Sequence, residues 1–128
     1  MLELFESMVY EFEDFRLDAK SHKLYRRNTG EIVPLTPKAV EVLLYFVRNA
    51  GRTVVKDELL DAVWGDAVVE ESNLSQTIFV LRKALGENTK DPRFILTAPG
   101  RGYQFIANVK AIHPEDNILG ESVGRLRC

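Results

Sequence analysis

The chain has 128 residues, 45% hydrophobic and 28% charged, with a formal net charge of −2, a balance that suits one globular domain with a buried core. No apolar run approaches the ~20 residues that cross a bilayer, and the start, MLELFESMVYEFEDF, is acidic where a secretory signal is basic. The single cysteine, Cys128, has no internal partner, so the expected setting is the reducing cytoplasm.

In chain order, YEFEDFRL alternates with an imperfect period of two, with Tyr10 and Phe12 on one side and Phe15 on the other. HKLYRR, an Asn28-Thr29-Gly30 turn and EIVPL complete an expected antiparallel sheet of three or four short strands. TPKAVEVLLYFVRNAG predicts a first helix. Thr36 is its N-cap and Pro37 sits where a missing N–H costs nothing, while Val40, Leu43, Leu44 and Val47 form the apolar face and Gly51 the C-terminal stop. RTVV is extended, and KDELLDAVWG reads as a second helix burying Leu59, Leu60, Val63 and Trp64 and ending at Gly65. A third helix spans roughly residues 72–86. Asp91-Pro92 interrupts the chain, and RFILTAPGRGYQFIANV predicts a hairpin turning at Pro99-Gly100-Arg101-Gly102. Residues 1–9 read as an extension, 10–108 as the domain and 109–128 as a tail or linker.

The net charge conceals an asymmetry. Residues 1–71 carry −5, residues 72–110 carry +4 and residues 111–128 carry −1, and a local excess rather than the average decides whether phosphate is attracted. The third helix lies in the basic part. At 100° per residue, Leu74, Ile78, Leu81 and Leu85 fall within ~60° of one another, a seam for the core. Ser72, Ser75, Gln76, Phe79, Arg82 and Lys83 lie on or beside the opposite face. These types suit a major groove: Gln pairs with adenine, Arg or Lys with guanine, a ring touches the thymine methyl, and Ser near a helix start binds phosphate. A solvated face is the alternative reading. Arg101, between two glycines at the hairpin tip, suits a narrow minor groove, or is an incidental cation on a surface turn.

Taken together, FRLDAKSHKLYR, VPLTPKAVEVLLYFVRNAG, KDELLDAVWG, NLSQTIFVLRKALGE and FILTAPGRGYQF, in that order, resemble the winged helix-turn-helix domain of the OmpR/PhoB class of bacterial transcription regulators. The resemblance implies an α+β fold with an N-terminal antiparallel sheet, a three-helix core and a C-terminal β-hairpin wing. It implies double-stranded DNA as partner, no cofactor, no metal and no small-molecule substrate. By position it assigns DNA contacts to Ser72, Ser75, Gln76, Phe79, Arg82 and Lys83 on the third helix and to Arg101 on the wing. Tyr103 either packs under the wing or touches phosphate. The Asp66–Glu71 loop matches a segment that contacts RNA polymerase in some members, and binding to direct repeats as head-to-tail pairs is common in the class. Val55 stands where relatives often carry a Ser or Thr cap. An input module is expected after residue 110 in a longer regulator.

An enzyme is disfavoured, because His22, His113 and Cys128 lack metal-like spacing and the adjacent pairs Asp57-Glu58 and Glu70-Glu71 point to different helix faces. A winged helix used only for protein binding is the competing function class, since fold alone does not fix function. About five neutralised phosphates would give a log–log salt slope near −4.5.

Overall fold

The computed structural model describes residues 8–65, 69–87 and 90–112. Strands β1 (Val9–Phe12), β2 (Phe15–Asp18), β3 (Lys23–Arg26) and β4 (Ile32–Val33) lead into helix α1 (Pro37–Arg48). Then come β5 (Thr53–Val55), α2 (Lys56–Trp64) and α3 (Glu71–Leu85), followed by β6 (Ile95–Ala98), β7 (Gly102–Phe105) and β8 (Lys110–Ile112). The strands form an antiparallel five-stranded sheet, β4-β3-β2-β1-β8, and an antiparallel three-stranded sheet, β5-β7-β6. This is the α+β architecture expected: a sheet, three helices and a hairpin wing.

Three local expectations are corrected. Glu13 adopts φ 51° in the turn between β1 and β2, so the alternation restarts there. Phe12 and Phe15 become cross-strand partners on the same, buried side. The stop of α1 is Asn49, whose side-chain amide donates to Tyr45 O at 2.8 Å. Gly51, at φ 87°, instead donates its N–H to Phe105 O and so starts β5 beside β7. Finally, Lys110–Ile112 is not tail: it pairs with Glu11–Val9 at the sheet edge, carrying the sheet beyond residue 108.

The N-terminus of α1 forms as its sequence dictates. Thr36 Oγ1 accepts the Ala39 N–H at 3.2 Å, with Pro37 at the first helical position. Ala39, Val42 and Phe46 are buried along with the predicted face, so α1 is the central element. The second helix starts at Val55 without a side-chain cap. It buries Leu59 and Val63 fully, whereas Leu60 and Trp64 are only partly covered. Trp64 borders Lys38, whose ammonium stands 5.9 Å from the ring and donates to Val63 O at 2.9 Å.

Five aromatic rings join the layers. Phe12 and Phe15 of the first sheet meet Phe94 at 6.0 and 5.7 Å between centroids, and Phe12 meets Phe105 of β7 edge-on at 5.2 Å. Phe105 in turn stacks on Phe46 of α1 at 6.2 Å. Such pairs contribute about 0.5–1.5 kcal/mol each beyond their area. A polar cluster closes the α1–α2 side: the Tyr45 hydroxyl donates to Glu58, and Arg52 Nη1 donates to Glu58 Oε1 at 3.1 Å.

Gly102 runs against β5 so closely that a Cβ there would lie 2.0 Å from Val54 O. Gly102→Ala is therefore expected to destabilise the domain by about 1–3 kcal/mol or more, read from the denaturant midpoint. The hydrogen bond from Arg52, then that from Tyr45, holds the Glu58 carboxyl below its ordinary value of 4.5. Its contribution is present above that value and disappears as pH falls through the lowered one. Thermal unfolding followed from neutral pH into that acid range should show Glu58→Gln less stable than the parent near neutrality, with the gap closing as acid is added.

Candidate nucleic-acid interface

Helix α3 has two sides of opposite chemistry. Leu74, Ile78, Leu81 and Leu85 are between 0% and 5% exposed and face the core as the spacing predicts. Ser72, Ser75, Gln76, Phe79 and Lys83 are exposed on the other side. Ser72 Oγ donates to Glu70 Oε2 at 3.3 Å at the helix start. Phe79 is 54% exposed, with the Lys83 ammonium 5.4 Å from its ring centroid one turn on. Gly86, at φ 73°, ends the helix and donates its N–H to the carbonyls of Arg82 and Lys83.

The wing tip brings a further cation forward. Pro99-Gly100-Arg101 joins β6 to β7, Gly100 takes φ 73°, and Arg101 is exposed. The tip is anchored by its backbone: Arg101 N donates to Ala98 O at 3.0 Å, and Arg101 O accepts the N–H of Lys56, the first residue of α2, at 3.2 Å. Lys56 Nζ also meets Glu71 Oε2 at 3.1 Å across α2 and α3, a largely exposed pair of small energetic worth.

Two of the eight nominated residues lie elsewhere. Arg82 does not flank the outward face. Its Nη2 donates to Ile95 O at 3.0 Å and Thr97 Oγ1 at 2.7 Å, and its Nε to Glu87 Oε2 at 3.2 Å, leaving the side chain 20% exposed. The reason is its place between the buried seam and the open face, beside β6, where a guanidinium finds a carbonyl, a hydroxyl and a carboxylate in reach of one planar fork. Tyr103 is 6% exposed, its ring 6.4 Å from Phe46. Of the two placements left open for it, packing beneath the wing is the one observed.

Glu87 was not nominated, because one acid in a basic segment carries no sequence signal of its own. Its side chain is fully buried. Its Oε1 accepts the backbone N–H groups of Arg93 (2.8 Å), Phe94 and Ile95 (3.0 Å), while Oε2 takes Arg82. The carboxylate thus ties the end of α3 to the start of β6. Arg93 continues the connection, meeting Glu13 at 2.7 Å in the first hairpin. Of the basic segment, Arg82 is thus engaged inside the fold, whereas the Arg93–Glu13 pair lies at the surface, with both side chains exposed.

Residues 66–68 of the acidic loop, His113 and Cys128 lie outside the described residues. His22 is exposed in a turn at φ 57°. Among the described residues no group of three His, Cys, Asp or Glu side chains could hold a metal ion, and no helix is long and apolar enough to cross a membrane.

Removing the charge of Glu87 while keeping its shape should loosen the wing. Glu87→Gln is expected to cost about 1–3 kcal/mol, with faster amide exchange concentrated at Arg93, Phe94 and Ile95. Uniformly unchanged exchange would show that the carboxylate does not hold β6.

Comparison with known proteins gives a consistent set. A family model described as "Transcriptional regulatory protein, C terminal" matches residues 30–105. The transcriptional regulator HilA of Salmonella typhi is 39% identical over 103 residues, covering 80% of this chain and 18% of HilA. The chain thus spans less than a fifth of that relative. Among solved structures, the DNA-binding domain of Escherichia coli CadC superposes with a TM-score of 0.70 at 29% identity, covering 82% of this chain and 97% of that one. The Klebsiella pneumoniae RstA DNA-binding domain, solved in complex with the RstA box, gives 0.67 at 26% identity, covering 77% and 96%.

Proposed function

The chain belongs to the family of transcriptional regulatory protein C-terminal domains, of OmpR/PhoB winged-helix type, and on that premise we propose that it binds double-stranded DNA sequence-specifically to regulate transcription. The observation that carries the reading is the outward side of α3. An exposed run of Ser72, Ser75, Gln76, Phe79 and Lys83 stands on a helix whose other side is wholly buried, with the Arg101 tip on the adjoining wing. α3 enters the major groove, where Gln76 meets a base edge, and Arg101 lies at the neighbouring minor groove. Arg82 holds α3 against the wing rather than reading a base. The work is binding rather than catalysis, it needs no cofactor, and it takes place in the cytoplasm.

Further partners follow from the same reading. The acidic segment Asp66–Glu71 suits a protein surface better than phosphate, and RNA polymerase is the partner proposed for it. On direct repeats two copies bind head to tail.

With Arg82 engaged internally and Arg93 paired with Glu13 beside the first hairpin, the cations on α3, at the wing tip and at the start of α2 are Lys83, Arg101 and Lys56. About three phosphates are then neutralised, and the log–log salt slope should lie near −2.7 rather than −4.5. In a selection from random duplex DNA, Gln76→Ala should relax preference at one base pair and cost ~1–3 kcal/mol on the preferred site. Arg101→Ala should weaken all sequences more evenly and reduce the salt slope by about one. Failure to recover any motif, with no binding at low salt, would favour the protein-interaction module instead.

A further inference from the structure

Within the DNA reading, on which this inference rests, the chemistry of Phe79 identifies what it senses. The exposed large apolar side chains among the described residues are Ile32, Val55, Phe79, Leu96 and Ile106, and Phe79, at 54%, is the one on α3. The fold does not need it: the seam from Leu74 to Leu85 already fills the inner side of the helix. What Phe79 meets is Lys83, whose ammonium stands 5.4 Å from the ring centroid. The cation is attracted to one ring face, and the phenyl stands exposed on the outward side, one turn after Gln76 and Ser75.

A phenyl ring neither donates nor accepts an ordinary hydrogen bond. Against the major-groove edges it gains free energy only by covering an apolar group, and the 5-methyl of thymine is the apolar substituent displayed there. Gln76, one turn earlier, can take a neighbouring adenine, and Lys83 a guanine or a phosphate. We propose that Phe79 selects thymine through its 5-methyl group, and that by the same chemistry it accepts 5-methylcytosine where it disfavours cytosine. Methylation of cytosine would then alter recognition with no change in hydrogen-bond pattern.

The test uses the duplex recovered by selection with the parent chain. Each thymine is replaced in turn by deoxyuridine, which lacks only the methyl, and binding is compared for the parent and Phe79→Ala. The substitution is on an exposed helix surface, so folding is retained and is checked by thermal unfolding. Covering one methyl corresponds to a factor of about three to five in affinity. The expected result is one thymine whose replacement weakens the parent by that factor and leaves Phe79→Ala unchanged. At that position 5-methylcytosine should bind the parent more tightly than cytosine, again without effect on the variant. A Phe79–Lys83 contact that served only the helix would shift the melting temperature and leave base preference alone. If a motif is recovered but both proteins respond alike to every deoxyuridine, the methyl assignment is overturned and the DNA reading stands. If no motif is recovered, both fall.

Discussion

A carboxylate with no exposed surface must be satisfied by its neighbours, and the neighbours of Glu87 are the parts whose relative placement matters most. Three consecutive backbone N–H groups at the entry to β6 point at one oxygen, and the Arg82 guanidinium meets the other. Charge-assisted bonds of this kind are stronger than neutral ones. Leaving any partner out would strand a buried charge, so the arrangement tends to be kept whole. Helix end and wing entry, separate elements of the fold, are thus tied together through one side chain.

The rest of the fold supports that junction. Phe94, next to the N–H groups that Glu87 accepts, sits between Phe12, Phe15 and Phe105, so the segment leading into the wing is packed on the first sheet while its backbone is held by the helix end. Gly102 lets β7 lie against β5 at a distance no side chain allows, which brings the wing tip to the first turn of α2. The outward side of α3 carries no part of this framework. Its residues are thus open to variation between relatives without loss of the fold, as expected of a surface that chooses among sequences.

Much of this was legible in the residues themselves. The seam of α3, the Thr36-Pro37 start of α1 and the uncapped Val55 are local patterns, and local patterns need only periodicity and capping chemistry to be read. Arg82 was misplaced because helical angle alone cannot tell an arginine that reaches outward from one that reaches sideways to a strand; that depends on Ile95, Thr97 and Glu87, all later in the chain. Glu87 escaped for the same reason. The three-residue strand Lys110–Ile112 has no period to detect, and its partner β1 is a hundred residues earlier. Alternation through Glu13 misled because a positive φ at a glutamate is uncommon, and Asp14 beside it, although a common turn residue, comes without the glycine that marks a tight hairpin.

The pairing of β1 with β8 has a consequence for how such a domain can be used. Val9 and Ile112 are direct cross-strand partners, so the first and last strands of the sheet bring their outer ends side by side. A unit with adjacent entry and exit behaves as a cassette. It can be spliced into a longer polypeptide, or have its chain order rotated by joining the two ends, with little strain on the interior. That geometry is compatible with such a domain occurring in proteins several times its length, as HilA is.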